Sequence, residues 1–305
     1  VDVKSPMIIG HDTYLKLFQL SSPKLDGYSV IYSDESQDSS MTMIDILKQQ
    51  KGVQTIVVGD SRQAIYQWRG SVDAMKLVAG VEKTITPSLR FGDKVGEIAS
   101  LLIESKVEGW KQLSTTTQEN DLTQSEYKGK TLLFRRNMTL LGAYADLLDS
   151  GYSVGLEVDA KDLSYMLNSA VALNKGDMDK VKHDELIPYS SWEEFERECK
   201  DGNNLGLAQV KRLIDTKQVY RVLGAIREYD NPPNPDIILT TAHKSKGREW
   251  DNVVLMGDFG SPLDEDGNWV GLTEEETNLL YVACTRAKKS LWYNDTVKKF
   301  IENKI

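Results

Sequence analysis

The chain has 305 residues, enough for about two domains, and its 40% apolar and 27% charged side chains exclude a disordered or fibrous protein. With 46 acidic against 37 basic residues the net charge is −9, so the broad basic footprint of a general nucleic-acid binder is excluded, and contact with a nucleic acid would need a local groove or a stacking surface. Cys199 and Cys284 are the only cysteines and lack metal-ligand spacing, and no apolar run approaches the roughly 18 residues of a membrane helix.

In chain order, Tyr28–Asp38 (YSVIYSDESQD) and Thr55–Gln63 (TIVVGDSRQ) are short apolar runs ending in acidic residues, the pattern of buried parallel strands with polar groups at their C-terminal ends. Between them Ser39–Gln50 (SSMTMIDILKQQ) has helical spacing behind a serine start signal. Strand, helix, strand with carboxylates at the strand ends is the layout of an open α/β sheet, which binds ligands beyond those ends. Lys83–Pro87 (KTITP) reads as a further strand closing this part.

A second α/β unit follows, with a helix over Phe91–Lys106, a strand at Lys130–Arg136 and a helix over Met138–Ser150 stopped by Gly151. From about Glu157 the pattern turns helical and polar, with Ser191–Cys199 and Leu207–Tyr229 as the clearest amphipathic stretches. The run Asn231–Asp236 (NPPNPD) ends it, because consecutive prolines cannot continue a helix. Strands are expected again at Ile237–Gly247, Asn252–Phe259 and Lys289–Asp295, with a helix over Glu274–Lys289 between the last two. The domain reading is therefore a first lobe over residues 1–86, a second over 87–305, and a helical insertion at 157–235 within the second.

Asp34 and Glu35 close the first strand. Such a pair can divide the work of nucleotide hydrolysis, one carboxylate holding Mg²⁺ and its neighbour directing the attacking water. Asp34-Glu35-Ser36-Gln37-Asp38, followed by Gly59–Gly70 (GDSRQAIYQWRG), resembles motifs II and III of the UvrD/Rep-like superfamily 1 helicases. Ser88–Gly92 (SLRFG), Thr240–Val254 (TTAHKSKGREWDNVV) and Asn278–Leu291 (NLLYVACTRAKKSL) resemble motifs IV, V and VI in the same order. The segment Thr13–Leu25 together with SLRFG looks closest to the F-box DNA helicase branch.

This resemblance implies two RecA-like parallel-sheet lobes and an ATP- and Mg²⁺-dependent translocase moving 3′ to 5′ on single-stranded DNA, with DNA repair or replication proteins as partners. It assigns Mg²⁺ to Asp34 and Glu35, nucleotide contacts to Asp34, Gln37, Gly247 and Glu249, and γ-phosphate sensing to Gln63. Arg90 and Arg286 become arginine fingers. Tyr66 and Trp68, with Arg69, would stack on bases, each stack being worth roughly 1–3 kcal/mol whatever the base. Thr241 and His243 would face the DNA backbone.

The pattern departs from the family in one large respect. No G-x-x-x-x-G-K-[ST] phosphate loop is present; Glu126–Thr131 (EYKGKT) lacks the first glycine and precedes a strand instead of following one. In the family that loop lies ahead of motif II, and the sequence begins with valine 33 residues before Asp34, so it reads as the C-terminal portion of a longer helicase, with a first lobe incomplete at its N-terminus and inactive as an ATPase alone. Leu89 stands where many relatives carry an aromatic residue against adenine. The alternative is a non-catalytic remnant that binds DNA or protein. A helicase–nuclease subunit would need a further acidic metal cluster, and none follows motif VI. Two distant cysteines and the lack of a signal-peptide pattern point to a reducing compartment, cytoplasmic or, in a eukaryote, nuclear, with no membrane partner.

Overall fold

The computed structural model describes residues 10–200 and 205–303. Contacts divide the chain into two units, one of Val1–Ile85 with Thr273–Tyr281, the other of Thr86–Leu272 with Val282–Ile305.

The first unit contains α1 (His11–Leu20), β1 (Val30–Ser33), β2 (Ser39–Ser40), α2 (Met41–Lys48), β3 (Gln54–Val57) and β4 (Ser71–Val72). Ser40 caps α2 by accepting the Met43 N–H at 3.2 Å, satisfying a donor that the first turn leaves without an intrahelical partner. The helix buries Ile44 and Ile46 and carries the chain over to a parallel pairing of β1 with β3, from Val30 opposite Gln54 to Ser33 opposite Val57. The ladder runs one step further, since Val58 N–H donates to the Ser33 carbonyl at 2.8 Å and Ser36 N–H to the Val58 carbonyl at 2.9 Å. Residues 34–36 and 58–60 therefore leave the sheet side by side. The short antiparallel pair β2–β4 ties the chain just after Asp38 to the chain just after Gly70.

The strand expected at Lys83–Pro87 does not form. Residues 81–86 are irregular, and Val81 and Ile85 are 88% and 89% exposed. Apolar β-formers extend a sheet only where a neighbouring strand takes their backbone bonds and covers their side chains, and among the described residues no strand pairs with these.

The second unit holds α3 (Asp93–Ile103), β5 (Thr116–Glu119), β6 (Lys130–Phe134), α4 (Asn137–Asp149), β7 (Val154–Leu156), α5 (Ala160–Asn174), α6 (Trp192–Lys200), α7 (Leu205–Asp215), α8 (Val219–Arg227), β8 (Ile237–Thr241), β9 (Trp250–Leu255), β10 (Ala287–Tyr293) and α10 (Asp295–Asn303). Its six strands are all parallel in the order β5-β10-β9-β6-β8-β7. Leu132, Leu133, Ile237, Leu239, Val253 and Val254 in the central strands are fully buried, as a parallel sheet covered on both faces requires. The helices α5–α8 fill the insertion between β7 and β8. The stretch Leu207–Tyr229 divides into α7 and α8 because the chain turns at Lys217, which takes φ 60°.

A last helix, α9 (Glu274–Cys284), gives its residues up to Tyr281 to the first unit and the rest to the second. It ends well short of Lys289, and β10 starts at Ala287, which pairs with Trp250. The protein is thus α/β, built on parallel sheets of the RecA-like kind with a helical insertion. Among the described residues no helix is long and apolar enough to cross a membrane.

Candidate functional site

β1 ends at Ser33, so Asp34 and Glu35 are the first residues past it, and both are exposed. Glu35 lies in the left-handed region at φ 50°, ψ 38°. A non-glycine residue held there costs of order 1–3 kcal/mol and persists only where its surroundings over-determine it. The Glu35 N–H donates to Asp34 Oδ1 at 2.9 Å, and Glu35 Oε2 accepts Gln37 Nε2 at 2.6 Å. Gln37 is 1% exposed, and its Oε1 accepts the Asp60 N–H at 3.1 Å. Gly59 allows this approach, because a Cβ there would lie 2.3 Å from Gln37 Oε1. Asp60 Oδ2 in turn accepts Gln63 Nε2 at 3.0 Å.

A continuous line of hydrogen bonds thus joins Glu35, Gln37, Asp60 and Gln63 across the ends of β1 and β3. Gln37, expected among the nucleotide-contacting residues, is buried, with its amide bonded to Glu35 and Asp60. Asp34 and Glu35 offer only carboxylate oxygens. That donor set suits Mg²⁺, which binds through one or two carboxylates, water and phosphate, and it does not suit a soft transition metal. Among the described residues no group of three or more His, Cys, Asp or Glu could hold a metal by itself.

Past Gln63 the chain is anchored by Ala64 and Ile65, which are 1% and 0% exposed, and then surfaces. Tyr66 is half-buried and Trp68 is 60% exposed. The Arg69 guanidinium stands over the Trp68 ring, 4.6 Å from its centroid, and 5.8 Å from that of Tyr66. Burial pushes the Tyr66 phenol above its ordinary value of 10.0, with the Asp38 and Glu35 carboxylates adding to it and Arg69 opposing, so the ring is neutral at physiological pH. An indole so open to solvent contributes little to a core. One face carries the Arg69 guanidinium, and the ring is otherwise open at 60% exposure.

In the second unit Arg90 Nε donates to Glu249 Oε2 at 3.1 Å, bringing together two residues 159 positions apart. Lys288 Nζ lies 3.7 Å from Glu249 and 3.5 Å from Asp251, adding a cation to this surface. Leu89, beside Arg90, is 70% exposed. Gly247 takes φ 78°, a conformation that favours glycine, in the turn between β8 and β9. Thr241 is buried at the end of β8, where its hydroxyl accepts the Lys244 N–H at 3.4 Å, and His243 is half-buried. Arg286 is 0% exposed: Nε donates to the Val282 carbonyl at 2.8 Å, Nη1 to the Arg248 carbonyl at 3.3 Å and Nη2 to Thr285 Oγ1 at 3.0 Å.

The structure therefore groups Asp34, Glu35, Gln37, Gln63, Tyr66, Trp68 and Arg69 in the first unit, and Arg90 with Glu249 in the second. Sequence reasoning assigned nothing to Asp60, Tyr281 or Lys288. All three carried a signal, since each lies inside a motif, but the pairing of Asp60 with Tyr281 did not.

These features place the chain among two-unit α/β proteins of RecA-like kind. The family model of the UvrD/REP helicase N-terminal domain matches residues 19–78, and that of the UvrD-like helicase C-terminal domain matches residues 189–297. The two matched stretches correspond to the N- and C-terminal domains of UvrD-like helicases. The chain is 31% identical over 94% of its length to F-box DNA helicase protein 1 of Schizosaccharomyces pombe, covering 36% of that protein. It is 30% identical over 98% of its length to F-box DNA helicase 1 of Gallus gallus, covering 32%. The chain thus spans about a third of the length of the curated relatives it matches.

Proposed function

We propose that this chain is the track-gripping and phosphate-sensing part of an ATP-dependent DNA helicase that moves 3′ to 5′ along single-stranded DNA. The observation that carries the reading is the hydrogen-bonded line from Glu35 through Gln37 and Asp60 to Gln63, with the exposed Trp68 only five residues beyond. A residue suited to directing hydrolysis and a residue suited to sensing phosphate are tied together, and the sensor leads directly into a stacking platform. Base stacking tolerates any sequence, as stepping along arbitrary DNA demands. Asp34 and Glu35 would hold Mg²⁺, which neutralises phosphate charge when bound, and Glu35 would orient water. On the second unit Arg90, Glu249 and Gly247 would contact nucleotide, and Arg286, 0% exposed with its guanidinium bonded to Val282, Arg248 and Thr285, would have to leave those bonds to act as an arginine finger. Arg69, Thr241 and His243 would complete the DNA contacts. Partners would be single-stranded DNA and proteins of DNA repair or replication, in a cytoplasmic or nuclear setting.

Because the 305 residues include no G-x-x-x-x-G-K-[ST], this chain alone does not turn over ATP. The same observation favours a second reading, a binding module that keeps the DNA platform without catalysis. Fluorescence anisotropy with oligo-dT, oligo-dA and a duplex tests the common part. Both single strands should bind within a few-fold of each other and ahead of the duplex, with affinity falling as salt rises. Preference for duplex, or no binding, overturns the DNA reading. Phosphate release assayed with Mg-ATP and oligo-dT should stay at background; robust release would overturn the claim that the chain is inactive by itself.

A further inference from the structure

Asp60 lies where several hydrogen bonds of the first unit meet. Its N–H donates to Gln37 Oε1 at 3.1 Å, its Oδ1 accepts the Arg62 N–H at 2.9 Å, and its Oδ2 accepts Gln63 Nε2 at 3.0 Å. Oδ2 also accepts the hydroxyl of Tyr281 at 2.9 Å, from a residue 221 positions away on α9. One turn earlier on that helix, Asn278 donates its Nδ2 to the Ala64 carbonyl at 3.3 Å. Residues three apart share a helix face, so a single face of α9 grips the 60–64 segment at a carboxylate and at a carbonyl. Both gripping side chains are buried, Asn278 at 1% and Tyr281 at 7% exposure.

We infer that Asp60 and Tyr281 are positioning residues for Gln63, and that their hydrogen bonds set both the aim of its amide and the lie of the loop carrying Tyr66 and Trp68. The inference rests on the function proposed above for Gln63 and the two rings, and adds to it the device that holds them. An ionised carboxylate only accepts, and hydrogen bonds to a charged group are the stronger kind, so Asp60 can organise a hydroxyl, an amide and a backbone N–H at once. Gln63 sits on a three-residue 3-10 turn, Ser61–Gln63, which is too short to fix its own direction. A phosphate oxygen reaching Gln63 would replace one anionic acceptor with another, and the Tyr281–Asp60 bond would keep the loop in place during that handover.

Tyr281→Phe removes one hydroxyl and keeps the ring; Asp60→Asn keeps the shape and removes the charge. Hydrogen–deuterium exchange on the whole chain reads the loop directly. Amides of residues 61–70 should exchange about 10-fold faster in either variant, while β6 and β8 stay unchanged, and the double variant should be no faster than Asp60→Asn alone. Oligo-dT affinity should fall about fivefold in each single variant and no further in the double. Unchanged exchange at 61–70 in Tyr281→Phe, or effects that simply multiply in the double variant, would overturn the inference. Should either variant lose its cooperative melt, Asp60→Glu is the substitute: it keeps the charge one methylene away, and faster exchange at 61–70 is again expected, with unaltered exchange counting against the proposal. If the unsubstituted chain ignores oligo-dT, the DNA reading fails, yet the exchange result still decides the positioning claim.

Discussion

Each of the two units is held together internally by its own means. The second surrounds six parallel strands with a large apolar cluster running from Leu132 through Leu167 and Leu239 to Val254. The first has a two-stranded sheet in which no residue of β1 or β3 is fully buried, and its described buried apolar set is short, with Ile44, Ile46, Ala64 and Ile65 prominent. Order at the strand ends of the first unit comes from polar side chains bonded to backbone and to each other, in the run from Glu35 to Gln63. The lesson is one of division: apolar area sets whether the second unit folds, whereas a handful of hydrogen bonds sets where the candidate site of the first unit points.

That contrast can be broken most forcefully at the second unit's core. Leu239→Ala removes a fully buried side chain from the middle of β8 and should cost about 2–5 kcal/mol of stability, read by denaturant unfolding. A loss well under 1 kcal/mol would deny that this cluster dominates. At the first unit the sharpest intrusion is Gly59→Ala, whose Cβ meets Gln37 Oε1 at 2.3 Å. Overpacking there should cost about 1–3 kcal/mol and turn Gln37 away from Asp60, visible as faster amide exchange at residues 34–37 and 59–63. Wild-type exchange in that variant would show that the polar line does not depend on close approach. Arg69→Ala removes a cation from an exposed ring and should lower stability by no more than about 0.5–1 kcal/mol.

The smallest effect is a pH response at the surface of the second unit. The Lys289 ammonium bonded to Asp251, helped by Lys288, holds its carboxyl below the ordinary value of 3.8. Since the folded value is depressed, the stabilisation is complete above the ordinary value and is lost as pH falls through the lower folded one. Asp251→Asn should therefore shift the melting midpoint slightly at neutral pH and not at all at strongly acidic pH; an equal shift at both would remove the electrostatic explanation.

Much of this architecture is readable from residues close together in the chain. YSVIYS and TIVV announce β1 and β3 because each pairs apolar residues with an acidic end, and the serine before MTMIDILK marks a helix start. KTITP misleads, since its residues favour strand while no strand among the described residues pairs with it. β7, three residues long, and β5, with the polar sequence TTQE, fall below any local signal and form because longer neighbours pair with them. In the site, chain proximity places Asp34 beside Glu35 and Gln63 close to Trp68, while the parallel pairing of β1 with β3 brings the two stretches to one end of the sheet. The burial of Gln37 and Arg286, the Arg90–Glu249 pair and the grip of Tyr281 on Asp60 depend on packing or on contacts across long stretches of sequence, and spacing alone carries no record of them.

Trp68 as a stacking face is the central proposal. Anisotropy titration of oligo-dT with the wild-type chain and with Trp68→Ala, at matched salt and with matched melting midpoints, tests this directly. Loss of one base stack predicts binding weaker by about 5- to 150-fold, the equivalent of roughly 1–3 kcal/mol. Equal affinity of the two proteins would contradict it.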